Sequence, residues 1–124
     1  MLPDLEALLA GYELYAKQNH VIADRDEVRL AGALLEAGAL AGGHEIDEPA
    51  ALFFALSRRP RSFGRAHGRM VLHLAMEHAH VLGFAFTVDV AVLELVRARI
   101  VRGAIDFEEL RTWFSAHLAP IERK

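Results

Sequence analysis

Between Pro3 and about Gln18 the apolar residues Leu5, Leu8, Leu9, Tyr12 and Tyr15 recur in threes and fours, the spacing of one helical face, with Leu14 on the other side of the wheel. Pro3 fits the first turn, where a missing N–H costs nothing. The pattern breaks over Gln18 to Ala23. Asp24 then stands three residues before Glu27, an aspartate variant of the capping-box spacing, and predicts a second helix through Leu30, Leu34, Leu35 and Leu40. Gly42-Gly43 ends it, since glycine accepts the left-handed backbone of a helix C-terminus. Asp47 caps the next start, with Glu48 and Pro49 in the first turn. Leu52 to Leu56 makes helix three apolar on more than one face, and Pro60 forces the chain out of the helix near Arg59.

A fourth helix is predicted from about Gly68 to Leu82, with Met70, Val71, Leu74, Ala75, His78, Val81 and Leu82 on its apolar stripe and Gly83 as its stop. A short extended piece spans Phe84 to Thr87. Val90, Val92, Leu93, Leu95, Val96 and Ile100 form helix five, which ends at Gly103; the segment is too long for a strand. Asp106 caps a sixth helix with Glu109 three residues on, and Leu110, Trp113, Phe114 and Leu118 supply its apolar face. The fold class that follows is all-α: one domain, a bundle of about six helices joined by short loops.

Composition narrows the chemistry. The 124 residues fit one core, and 53% hydrophobic with 25% charged residues is the balance of a folded chain. Without cysteine there is no disulfide and no thiolate metal site. The start Met1-Leu-Pro-Asp-Leu-Glu lacks the basic and apolar blocks of a signal peptide, and no apolar run reaches a membrane span, so a cytoplasmic location is expected.

Charge changes the picture most. The net −3 divides into +5 on Arg58–Arg69, which reads R-R-P-R-S-F-G-R-A-H-G-R, and −8 on everything else. A glycine-containing loop that opens a helix offers unpaired N–H groups and the positive end of the helix dipole to an anion. Arginine adds a planar, permanently charged fork suited to phosphate. The segment also reads as a solvated turn. A pI of about 6.1 and one short basic cluster argue against nucleic acid as the partner.

Other chemistry is thinner. His73, Glu77 and His80 fall at i, i+4 and i+7 on one side of helix four and are candidate ligands for a divalent metal, to which the His44-Glu45 loop could add. A solvated polar face explains them equally well, and the chain lacks the His-Glu-x-x-His pattern. No Gly-x-Ser-x-Gly elbow surrounds Ser57, Ser62 or Ser115, and neither a Walker loop nor Gly-x-Gly-x-x-Gly occurs, which argues against a serine hydrolase and the familiar nucleotide-binding folds.

Taken in order, these features resemble the Fic/Doc family, most closely its death-on-curing (Doc) toxin branch. Arg25-Asp26-Glu27 with Leu30, Ala33 and Leu34 resembles the Arg-Asp-x-x-x-Leu-x-x-Ala-Leu pattern of Doc-like chains. Glu48, Ala50 and Ala51 lead into the helix before the signature loop, and the spacing from Arg69 to Gly83-Phe84 matches the family's distance from its last signature arginine to its helix end. The Asp89 cap, the valine-rich helix and Glu108-Glu109-Leu110 with Trp113-Phe114 complete a resemblance that covers nearly the whole chain.

The signature His-Pro-Phe-x-(Asp/Glu)-Gly-Asn-(Lys/Arg)-Arg is altered. Anchored on Arg69, Phe63 stands at or beside its phenylalanine, Ala66 at the glycine, His67 at the asparagine and Gly68 at the Lys/Arg. The histidine position falls on Arg61 or Pro60, neither of which can be a general base, and the acidic metal-binding position falls on Arg65, which repels Mg²⁺. The resemblance therefore implies the helical fold and binding of an anion, phosphate or nucleotide (ATP or AMP), by Arg61, Phe63, Gly64, Arg65, His67, Gly68 and Arg69. Ordinary AMP transfer is not expected. An antitoxin or a protein target is the implied partner. Two alternatives stay open: a phosphoryl or nucleotidyl transferase acting on a protein hydroxyl with His67 as replacement catalytic base, and a metal-binding protein using His73, Glu77 and His80.

Overall fold

The apolar run at Leu52–Leu56 becomes the axis of the molecule. The computed structural model describes residues 1–122. These form α1 (Leu5–Gln18), α2 (Glu27–Ala41), α3 (Glu48–Ser57), α4 (His67–Val81), β1 (Phe84–Phe86), α5 (Val90–Val101), α6 (Phe107–His117) and β2 (Leu118–Pro120). Single 3-10 turns precede α3 at Glu45–Asp47 and α4 at Gly64–Ala66. Every residue of α3 is buried, and α2, α4, α5 and α6 all pack on it. A helix apolar all round can satisfy that pattern only in the middle of a bundle. Phe53 is fully buried there, its ring 5.4 Å from that of Phe114 on α6. The all-α bundle is borne out, and among the described residues no helix is long and apolar enough to cross a membrane.

Local signals placed most helix ends. Asp4, Asp89 and Asp106 cap α1, α5 and α6 by accepting from Ala7, Val92 and Glu109 amides, and Glu109 returns the bond to the Asp106 amide to complete a capping box. Gly42, Gly83 and Gly103 close α2, α4 and α5 with φ of 58°, 91° and 70°.

Four expectations need correction. Asp26, not Asp24, caps α2, its carboxylate accepting from the Arg29 amide at 3.1 Å. Asp24 is drawn instead into the α1–α2 connection, where the Tyr12 hydroxyl donates to its carbonyl at 2.6 Å. Asp47 precedes α3 without a side-chain capping bond; its carboxylate faces Arg111 at 3.6 Å. The buried face of α2 is Leu30 with the small residues Ala33, Ala37 and Ala41, which let it lie close to α3, whereas Leu35 is 78% exposed. Leu118 leaves α6 with an extended backbone and pairs with Phe86, so β1 has an antiparallel partner that its sequence did not announce.

Tyr12 is the joint between this scaffold and the arginine loop. Its ring is fully buried 4.7 Å from that of Phe63, and its single hydroxyl proton lies between the carbonyls of Asp24 and Phe63, the latter at 3.0 Å. Burial pushes its pKa up, which keeps the donor protonated. Tyr12→Phe keeps the ring and removes the bond, and a loss of about 1–2 kcal/mol is expected in urea unfolding at neutral pH.

Candidate functional site

The loop that leaves α3 turns twice before α4 begins. Ser62 N donates to Arg59 O and Gly64 N to Arg61 O, with Arg61 and Gly64 at φ of 67° and 58°. Arg61 thus holds a left-handed backbone that costs a non-glycine residue on the order of 1 kcal/mol or more. Gly64 has a second reason to be glycine: a Cβ there would stand 2.5 Å from the Cβ of Asp24. The α1–α2 connection lies over the loop as a strap, with Asp26 N donating to Ser62 O at 2.8 Å and Arg29 Nη1 to Pro60 O at 2.8 Å.

The five arginines divide into two groups. Arg58 and Arg59 both turn back to Glu36 on α2, at 3.2 and 3.1 Å, and Arg59 also donates to Ala55 O. The Arg59 guanidinium lies over Gly32, where a Cβ would meet it at ordinary contact distance, 3.5 Å from Nε. These two close the end of α3. Arg61, Arg65 and Arg69 are exposed, and among the described residues none of them forms an ion pair. The loop therefore offers three free cations.

The start of α4 at His67 has Ala66 before it and no side-chain cap; His67 N donates to Gly64 O, while the N–H groups that follow lack the partner an aspartate supplies at four other helices. A further guanidinium reaches this turn from α5. Arg97, held by Glu94 one turn earlier, lies so near Gly68 that a Cβ there would be 3.2 Å from Arg97 Nη2. Sequence reading missed Arg97 because nothing local ties residue 97 to residue 68. The absent side chain at Gly68 was its only trace.

His67 sits beneath the loop, 5% exposed, and both ring nitrogens are engaged with backbone. Phe63 N donates to Nδ1 at 3.3 Å, and Nε2 faces Leu56 O at 2.9 Å. A carbonyl can only accept, so Nε2 carries the proton and the ring is neutral. Phe63, fully buried, stacks on it with centroids 5.9 Å apart. Burial lowers the His67 pKa most; the bond to Leu56 O opposes this and the charge of Arg97 adds to it. A base in this geometry would have no free lone pair, since Nδ1 already accepts from Phe63.

The other candidate cluster comes together only in part. His73 Nε2 meets Glu77 at 2.9 Å, while His80 stands exposed, and among the described residues no three His, Asp or Glu side chains converge on one point. His44 and Glu45 join no such group either. His78, read as part of the apolar stripe, is buried and pairs with the buried Glu48 at 2.9 Å. Burial raises the Glu48 pKa, but bonds from His78 and the terminal amine of Met1 outweigh it and leave the carboxyl below its usual range.

No family model matches the chain, and no curated protein and no solved structure matches it.

A depressed histidine takes its proton more readily in the unfolded chain. The stability His67 contributes is therefore complete above its ordinary pKa of 6.5 and is lost as the pH falls below that value. Glu48, also depressed, contributes in a lower window, losing its share as the pH falls below about 4.5. Unfolding free energy measured from pH 7.5 to 5 should fall in the native chain and fall less in His67→Ala. At pH 7.5 that variant should be weaker by about 2–3 kcal/mol, since the Phe63 amide and Leu56 carbonyl lose their buried partner.

Proposed function

We propose that the chain is a Doc-like protein whose Arg61–Arg69 loop binds a phosphate-bearing ligand without transferring any part of it, and which works through association with another protein, as the toxin of a toxin–antitoxin pair does. What carries the anion-binding reading is one arrangement: three unpaired guanidinium groups on a pinned loop that runs into an uncapped helix start. Arginine forks and helix N-terminal amides both suit phosphate oxygens. Arg97 stands near the same turn but is paired with Glu94, so it is not counted with them. The pinning matters because a preorganised loop spends little of its binding energy on being ordered.

The altered signature supports the absence of transfer. Arg61 or Pro60 occupies the place of the family's histidine, Arg65 that of its metal-binding acid, and His67 is neutral with both nitrogens committed to the backbone. The toxin-like partnership rests on the family resemblance alone.

Calorimetry with pyrophosphate at low ionic strength tests the loop directly. Binding should weaken about ten-fold or more for each of Arg65→Ala and Arg69→Ala, in line with charge-assisted bonds of roughly 1.5–3 kcal/mol. It should weaken further with added salt. Arg58→Ala should leave it unchanged, because that guanidinium is already paired with Glu36. Absence of pyrophosphate binding, or equal losses at Arg58 and Arg69, would reject the reading.

A further inference from the structure

The outward side of α2 carries no charge along its length. Opposite the buried face of Leu30, Ala33, Ala37 and Ala41, the residues Val28, Ala31, Leu35 and Gly38 follow one another at steps of three, four and three. That is the spacing of a two-helix seam. Val28 and Leu35 are 83% and 78% exposed, with Gly38 and Ala39 exposed beside them. A surface helix ordinarily turns polar residues to that side.

Large and small residues alternate along the stripe, and the alternation matches itself. Two copies of α2 laid antiparallel, centred at the level of Ala33, set Leu35 of each over Ala31 of the other and Val28 of each over Gly38. One register thus seats all four large side chains on small residues, as knobs enter holes, and a two-fold axis gives both copies the same patch. A parallel pair instead opposes Leu35 to Leu35 and Val28 to Val28, and leaves Ala31 and Gly38 facing their own kind across a gap.

The charges bordering the stripe agree with the antiparallel pair. Arg29 and Glu36, seven residues apart, lie along one flank. Two-fold symmetry sets that flank against its own reverse, so each Arg29 stands across from Glu36 of the second copy. Arg58 and Arg59 already pair with Glu36, and Asp26 with Arg29. Counted with Glu27, these six groups cancel, so the approaching rims carry no like-charge field. A neutral rim draws neither a basic nor an acidic partner.

We propose that α2 is a self-association surface, and that two copies of the chain dimerise through it as an antiparallel pair. The dimer is weak, because one helix of 15 residues, about 22 Å long, offers less than the roughly 800 Å² per partner that stable complexes bury.

Sedimentation velocity of the full chain from about 5 µM to about 1 mM covers the range in which so small an interface associates. The mean mass should rise from monomer towards dimer. Leu35→Glu, with its fold checked by far-UV circular dichroism, should weaken association at least about ten-fold, since its carboxylate would be buried without a partner. Leu95→Glu, at a 68% exposed leucine of α5, should leave association unchanged. The chain has no cysteine, so introduced thiols report the pairing. An equal mixture of Ala31→Cys and Leu35→Cys should oxidise chiefly to the mixed disulfide, told from the two homodimers by mass. Monomer mass at every concentration overturns the proposal. So does association that survives Leu35→Glu, or equal losses in Leu35→Glu and Leu95→Glu. Preferential crosslinking of Leu35→Cys to itself overturns the antiparallel register.

Discussion

Everything at the candidate site hangs from the neutral ring of His67. It joins three points of the chain: the last turn of α3 through Leu56 O, the middle of the loop through Phe63 N, and the first residue of α4 by its own backbone. Both bonds are buried, so neither backbone group has water as a substitute, and breaking them costs more than an exposed pair would. The Tyr12 hydroxyl acts from the other side, binding the α1–α2 connection to the same Phe63. Between them they hold Phe63 as a fully buried plug under a loop whose outer face is arginine.

That division of labour explains why the loop can afford so much charge. Inward residues Ser62, Phe63, Ala66 and His67 are buried, and outward residues Arg61 and Arg65 are exposed. Arg58 and Arg59 flank them but are spent on Glu36, where they fasten the loop's first end to α2. The five positive charges of the sequence are therefore two structural and three available. Counting arginines overstated the unpaired charge in the loop and missed Arg97, which comes from another helix and is paired with Glu94.

What the sequence disclosed follows the range of the interaction involved. Helix ends set by a single side chain three residues from an amide were legible, as at Asp89 and Asp106, and so were the glycine stops at Gly42, Gly83 and Gly103. Asp24 and Asp26 were interchangeable at that level. Only Tyr12, twelve residues upstream, decides that Asp24 serves the loop and Asp26 the helix. The β1–β2 pairing and the Arg97–Gly68 approach join residues more than two dozen positions apart and left no periodic mark. The loop itself was legible as a basic island. That its histidine faces inward was not, because a titratable residue beside arginine reads the same from sequence whether it meets solvent or carbonyl oxygens.

The charge and the order of the loop are consistent with each other through that histidine. Protonation of Nδ1 would set an N–H against the Phe63 N–H, so the pinned geometry exists only with a neutral ring. Burial disfavours the imidazolium, and the nearby Arg97 guanidinium disfavours it further. A cation that would draw an anion to the start of α4 thus also protects the bond that keeps the start of α4 in place. An acidic side chain in the position of Arg97 would work against both at once: it would repel a phosphate and invite a proton onto His67. The same reasoning separates this loop from a metal-assisted one, where an acid must stand near the helix start to hold the cation. Here the groups exposed around the helix start are Arg61, Arg65 and Arg69, and the surrounding electrostatics favour an arriving anion.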